Sequence, residues 1–347
     1  MYKLINYFTL IVILTGCVNN DHMKKIFVKD ETDFLTTTDG KKVELYSIGG
    51  LKTFSENNLT VFDNKNNTIY LIDSNYVIKS EYDIGTNCNF AITDGIRDYV
   101  LKNEKLYFID GSDNIKYYNK ESDEIVGVKV LWKTLFKGKQ TLVYSPFNSF
   151  GFISDSTLVI SFNYITNERI KANKIIVGII CKLNGEIISS IEIDKNEIEI
   201  PPGFFDNSYV TCYNDKIYLT FQFARSIIIY NKYSKTYITK EFLIDPKFWI
   251  KPTRLSKNKV QTVKLNYAAL SWSNGSFYHT LNQGPNKSRI IVMYNAEAES
   301  IAKFVLSSKI DIPDFHLAPT QEYLYAWKIN YPNIHKLSKN DIVSTHY

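Results

Sequence analysis

Glycine and proline are scarce in this chain, with 15 and 9 copies among 347 residues. That excludes collagen-like and low-complexity architectures, in which these residues dominate. Cysteine is scarcer still, at four copies, and no Cys-x-x-Cys occurs, so neither a zinc ribbon nor a thioredoxin-type motif is available. Beyond the N-terminal segment no apolar run is long enough to cross a bilayer as a helix. The sequence also lacks His-Glu-x-x-His, Gly-x-Ser-x-Gly, a Walker loop and Gly-x-Gly-x-x-Gly after a strand. Hydrolases, metallopeptidases and nucleotide-binding folds that announce themselves by a local motif are thereby excluded. Charge is not concentrated either. The net charge is +5, and Lys24-Lys25 and Lys41-Lys42 are pairs rather than polybasic stripes, so nucleic acid is not an expected partner.

What the chain has in quantity is tyrosine and phenylalanine, 25 and 21 copies, set in short alternating runs with isoleucine and valine. Branched and aromatic side chains fit a pleated surface, which makes this a β-protein. The stretch 96–131 is the clearest unit. IRDYVLK, LYFID, IKYYN and IVGVKVL follow one another across short polar turns, which predicts a four-stranded antiparallel meander. The same grammar returns over 59–84, 151–194, 208–244 and 267–306, with a shorter copy over 322–338. Residues 298–306 could briefly pass for a helix, but the flanking strands favour another strand. Asn184-Gly185 and Asn274-Gly275 fall where hairpins are required, and Asn-Gly suits a turn with positive φ at both central residues.

About six such units at a spacing near 40 to 60 residues fit propeller blades. The expected fold is all-β: a six-bladed β-propeller of four-stranded antiparallel blades, with the ring closed by an N-terminal strand. KVELYSI, 42–48, is the strand expected to complete the short last copy. A two-domain β-sandwich protein is the alternative architecture.

The N-terminus carries an address. Lys3 supplies a positive n-region, Leu4 to Leu14 is a short apolar stretch, and Leu14-Thr15-Gly16-Cys17 ends it. This ending resembles the bacterial lipobox, which implies cleavage before Cys17 and lipidation of Cys17. A plain signal peptide or a buried apolar strand would also account for the stretch. The domain reading is a lipoprotein signal peptide over 1–16, a lipid-anchored tether over 17–40 and the propeller over 41–347. Together with the blade cores IYLID, LYFID, KIYLTF and SFYHTL, the lipobox makes the chain resemble the TolB-like six-bladed propeller lipoproteins of unknown function from Bacteroidetes. The resemblance implies a cell-envelope location, with the lipid on Cys17 in the membrane. Residues 18–21 hold a single acid, Asp21, which favours a periplasm-facing outer-membrane anchor over surface display.

Chemistry-bearing residues are dispersed. Five histidines stand isolated, and neither a metal nor a cofactor is expected. Asp63-x-Lys65-x-Asn67 and Asp110-Gly111-Ser112-Asp113-Asn114 superficially look like calcium loops. Both sit at hairpin turns, where Asx turns explain them, and Ser74 occupies the twelfth position of the first. The acids Glu192, Asp194, Glu197 and Glu199 suit a solvated strand end. Asp155-Ser156-Thr157 resembles an O-glycosylation acceptor but is equally a turn before LVISF. Cys181 and Cys212 lie in strand-like runs and read as buried thiols, with a disulfide between them as the alternative.

Propeller ligands sit where inner strands and loops converge. Arg97, Asp98, Arg225, Trp272, His279 and His316 lie near predicted blade boundaries and are the candidate ligand-binding residues. Arginine beside aromatic rings suits an anionic or sugar-like ligand. For each residue alone, an interblade salt bridge or core packing is the competing explanation. The expected function is a lipid-anchored binding or scaffolding module for an envelope protein, peptide or glycan. A periplasmic propeller enzyme, a lyase or glycan hydrolase with a funnel active site, is the alternative, and a purely structural envelope component is a third reading.

Overall fold

Alternation explains the architecture. In the run Asn58–Asp63 nearly every residue is buried, with Leu59 and Val61 on one face and Phe62 on the other. A strand that is apolar on both faces belongs inside a stack of sheets, and that is where the computed structural model places it. The model describes residues 23–26, 28–85, 96–110, 114–122, 124–129, 150–161, 164–165, 174–198, 205–206, 208–221, 226–241, 270–273, 275–281, 290–306, 316–339 and 343–345. Among them the regular structure is strand, apart from a 3-10 turn at Lys195–Glu197.

Five sheets are four-stranded antiparallel blades. Blade 1 comprises Ile48–Thr53, Asn58–Asp63, Thr68–Asp73 and Ile78–Asp83. Blade 2 comprises Ile96–Lys102, Lys105–Asp110, Asn114–Asn119 and Glu124–Lys129. Blade 3 is built from Phe150–Phe152, Thr157–Ser161, Lys174–Lys182 and Ile187–Asp194. Blade 4 runs through Ser208–Tyr213, Lys216–Phe221, Ser226–Asn231 and Thr236–Glu241. Blade 5 has His316–Pro319, Tyr323–Trp327 and Ile334–Ser338, with Val28–Thr32 as its outer strand.

The unit over 270–306 departs from the expected pattern. Its meander, Leu270–Ser273, Ser276–Leu281, Ile290–Tyr294 and Ser300–Leu306, is extended by Met23–Ile26 and Val343–Thr345 into a six-stranded sheet. Met23–Ile26 runs parallel to Ser300–Leu306 and antiparallel to Val343–Thr345. The expected six four-stranded blades are therefore corrected to five, alongside this wider sheet. The segment 298–306 is a strand, as its flanks indicated.

Each sheet buries a face against its neighbour. Leu51, Val61 and Tyr70 of blade 1 meet Ala318, Tyr325 and Trp327 of blade 5, while Phe62 and Tyr82 meet Tyr99, Leu106 and Phe108 of blade 2. Tyr107 and Ile109 turn the other way, onto Phe150, Leu158 and Ile160 of blade 3. Val159 and Ile191 of blade 3 pack with Val210, Leu219 and Ile228 of blade 4. The ring of Tyr218 in blade 4 lies 4.5 Å from Phe277 of the six-stranded sheet, whose Tyr278 and Ile291 pack on Leu317 and Leu324 of blade 5. Each large apolar side chain so buried contributes roughly 1.5–3 kcal/mol, an upper estimate against a compact unfolded chain.

The N-terminal segment is also not as expected. Val28–Thr32, rather than 42–48, completes blade 5, pairing with Ile334–Ser338. Lys42–Glu44 instead folds back on Phe34–Thr36 as a small hairpin. Its turn closes through Thr37 N donating to Lys41 O at 2.8 Å and through Gly40 at φ +84°. Within the stretch read as a tether, 17–40, the strands Met23–Ile26, Val28–Thr32 and Phe34–Thr36 are thus formed. Ile48 opens blade 1. Gly49-Gly50 interrupts the alternation of that strand. In the fold these two glycines make room for rings: a Cβ on Gly49 would lie 2.6 Å from Phe62, and one on Gly50 2.7 Å from Tyr99.

Candidate ligand-binding site

The sequence directs attention to the inner strands, and there the charged groups are spent on each other. Lys52 on the first strand of blade 1 forms an ion pair with Asp98 on the first strand of blade 2. Its amine also donates to Tyr99 O at 2.8 Å. Asp98 accepts from Tyr99 N at 2.9 Å and from Phe150 N, in blade 3, at 3.2 Å. The Asp98 carboxylate is wholly buried, and the Lys52 side chain is 16% exposed. The Tyr99 hydroxyl is shared between Thr60 O at 3.0 Å and Gly50 O at 3.2 Å. This cluster joins three blades, and it leaves the carboxylate surrounded by donors from the chain itself.

The other candidate residues are scattered. Arg97 is half-buried next to Asp98, and strand alternation points it to the opposite face. His316 opens blade 5, buried and stacked on Trp327 with ring centroids 4.8 Å apart. Burial holds its imidazole down at about 4, so it is neutral at physiological pH. Trp272 and His279 lie on adjacent strands, opposite Phe277 and Leu270, and their side chains lie outside the description. Arg225 and Cys17 fall outside the described residues.

The first calcium-like loop is a turn over 64–67, and residues 111–113 of the second lie outside the described residues. The fully buried Asp63 accepts from Ser47 N at 3.3 Å, Lys65 N at 3.2 Å and Asn66 Nδ2 at 2.9 Å. Asp110 forms a buried ion pair with Lys116. Among the described residues no group of three or more His, Cys, Asp or Glu is gathered for a metal, and no helix is long and apolar enough to cross a membrane. Cys181 and Cys212 are both free thiols, each pushed up to about 12 by burial. Asp155 pairs with Lys102 at 3.0 Å beside the turn into Thr157–Ser161.

Open space lies elsewhere, beside the N-terminal hairpin. A concavity of about 750 Å³ is lined by Asp33, Phe34, Lys42, Val43, Glu44, Leu45, Tyr46 and Asn66. Its walls are anchored from below. Leu35 and Leu45 are buried in the core shared by blades 1 and 5, and Thr36 N donates to Tyr76 O at 3.0 Å. Asp63 fixes the other wall by holding Ser47 and the turn 64–67 together. On this frame stand two cation–aromatic pairs. Lys42 Nζ lies 4.1 Å from the Phe34 ring centre, and Lys65 Nζ lies 4.1 Å from that of Tyr46. The volume is in the range of small-ligand sites, and the lining mixes apolar planes with a few donors and acceptors.

None of these lining residues was among the candidate ligand-binding residues of the sequence. KVELYSI reads as a ladder strand and Asn64 to Asn67 as a plain turn. Only the exposed position of Tyr46 distinguishes it, and exposure depends on the hairpin's folding back.

No protein-family model matches the chain, and no curated protein matches it. Likeness of shape is found. A crystal structure of a DUF4221 family member from Bacteroides vulgatus is similar over 94% of this chain and 100% of its own, with TM-score 0.56 and 11% identity. The likeness establishes the fold alone. An exported protein of Bacteroides fragilis covers 89% of this chain and 85% of its own, at 12% identity and TM-score 0.46. A catalytically inactive virginiamycin B lyase of Staphylococcus aureus with quinupristin covers 92% and 96%, at 14% identity and TM-score 0.49. These two are too distant in shape to support an activity. The expected resemblance to Bacteroidetes propellers thus has a Bacteroides neighbour in fold.

Proposed function

We propose that the chain is a lipid-anchored, TolB-like propeller of the cell envelope that binds a protein, peptide or glycan in the concavity beside the Phe34–Glu44 hairpin. The observation that carries this reading is the contrast between the two places where polar groups meet. At the inner strands Lys52, Asp98 and Phe150 saturate one another, whereas Lys42, Tyr46 and Asn66 face open space on a wall fixed by buried residues. A preformed concave surface lowers the ordering cost of binding. The lipobox Leu14 to Cys17 supports the anchor, and the successive packing of inner strands supports a closed ring.

Two experiments test it. Labelled palmitate should enter the native chain and not Cys17→Ala; equal labelling would sink the anchor. The purified mature chain is then applied to an array of envelope peptides and glycans, beside Tyr46→Ala and Asn66→Ala. Binding that both substitutions abolish, with Tm unchanged for Tyr46→Ala and lowered by about a few degrees at most for Asn66→Ala, whose amide donates to Asp63, supports the site. Binding that survives both puts the ligand elsewhere.

A further inference from the structure

Two exposed tyrosines, each with a lysine amine over its ring, stand where blades 1 and 5 meet. Tyr46 is 47% exposed and Tyr331 is 52% exposed. Lys65 Nζ sits 4.1 Å from the centre of Tyr46, and Lys328 Nζ sits 4.2 Å from the centre of Tyr331. The two segments are bound through main chain: Ile48 N donates to Tyr331 O at 3.1 Å, and Asn330 N donates to Ile48 O at 3.0 Å. One residue, Ser47, separates Tyr46 from Ile48, so standard backbone dimensions put the Cα atoms of the two tyrosines within about 15 Å of each other. Among the described residues neither Lys65 nor Lys328 has a carboxylate within salt-bridge distance. Lys52 and Lys116, by contrast, are consumed by Asp98 and Asp110.

We propose, resting on the binding-module reading above, that the ligand is a carboxylated glycan, a polysaccharide bearing uronic acid units, laid across Tyr46 and Tyr331. Two exposed aromatic planes suit the apolar faces of sugar rings, and two uncompensated amines at the same rings suit carboxylates borne on those rings. The neighbouring acids decide against an acidic peptide. Asp33 and Glu44 line the adjoining concavity beside Asn66. Carboxylates accept hydrogen bonds from sugar hydroxyls, donors that the side chains of an acidic peptide lack, so the mixture of acceptors and amines fits a polyol that also carries charge.

The test is calorimetric titration of the mature chain with polygalacturonate, dextran and polyglutamate at matched chain length. Polygalacturonate should bind, weakening as salt is raised, while dextran and polyglutamate bind at least tenfold less tightly. Tyr46→Ala and Tyr331→Ala should each weaken binding about tenfold, Tyr46→Phe should not, and Lys65→Met or Lys328→Met should each weaken it about fivefold and flatten the salt dependence. Dextran bound equally well, or no effect of the lysine substitutions, would overturn the role of charge. Polyglutamate bound equally well would overturn the sugar in favour of a peptide. If none of the three binds while array binding still depends on Tyr46 and Asn66, this inference fails and the general reading survives; if array binding is also absent, both fail.

Discussion

Asp98 and Lys52 form a buried ion pair that bridges the first strands of two blades, with Phe150 N of a third blade donating to the same carboxylate. Removing one member leaves the other charge buried without its partner, which costs far more than removing both. Asp98→Leu should therefore destabilise by roughly 3–5 kcal/mol, and Lys52→Met combined with Asp98→Leu by clearly less. Urea unfolding of the two single variants and the double variant measures this. Additive losses would show that the pair is not coupled.

Gly50 and Gly127 make a second comparison. A Cβ on Gly50 would press into Tyr99, whose buried ring is tied by its hydroxyl to Gly50 O and Thr60 O, so it cannot simply swing away. Gly50→Ala should cost about 1–3 kcal/mol, as overpacking does. A Cβ on Gly127 meets nothing within 4 Å, on the outer strand of blade 2. Gly127→Ala should stabilise slightly, by up to about 1 kcal/mol, by restricting the unfolded chain. Thermal unfolding of both variants decides the signs.

The contrast between these glycines also shows what could be read from residues alone. Units with unbroken alternation, such as IRDYVLK to IVGVKVL, formed the strands their pattern demanded; Gly185 and Gly275 take positive φ, but Asn184 does not, so its hairpin turns on the glycine alone rather than on the expected pair. Inner strands were harder. Ile48–Thr53 contains two glycines, Phe150–Phe152 is three residues long and His316–Pro319 ends in proline, so none carries a period. Their neighbours, not their own composition, make them strands. Asp98 was legible as a residue of interest, but its partner Lys52 lies 46 positions away, and no local spacing joins them. The concavity was invisible for the same reason: Tyr46 and Asn66 meet only after the hairpin folds back.

His316 gives a pH dependence of defined sign. Its folded value, about 4, lies below the ordinary 6.5 because burial disfavours the imidazolium. The unfolded chain therefore binds more protons at this site between those two values. The stabilising contribution of the neutral ring is complete above about 6.5, falls as pH drops through the window, and is lost below about 4. It amounts to about 3 kcal/mol. His316→Phe keeps an aromatic ring for Trp327 and should remove this part of the acid sensitivity. The measurement is the difference in unfolding free energy between native chain and variant at pH 7 and at pH 4.5. An unchanged difference would show that His316 is not the titrating group.

The N-terminal strands make the last prediction. Met23–Ile26 is held on both edges, by Ser300–Leu306 and by Val343–Thr345, and Val343–Thr345 is paired through it alone among the described strands. Val28–Thr32 is the outer cover of Ile334–Ser338. Deleting 1–22 should leave stability unchanged, because no described strand is touched. Deleting 1–26 should release Val343–Thr345, which hydrogen exchange would register as a loss of protection at the C-terminal residues and along the exposed edge of Ser300–Leu306. Deleting 1–32 should cost a further 2–4 kcal/mol or so, at about 1 kcal/mol net per ladder hydrogen bond. It also uncovers a bare sheet edge in blade 5, besides the Ser300–Leu306 edge already bared by removing Met23–Ile26, so both longer deletions should self-associate with rising concentration in size-exclusion runs, and the 1–32 deletion the more strongly. If the 1–32 deletion remains monomeric and as stable as the 1–22 deletion, Val28–Thr32 is not the strand that finishes blade 5.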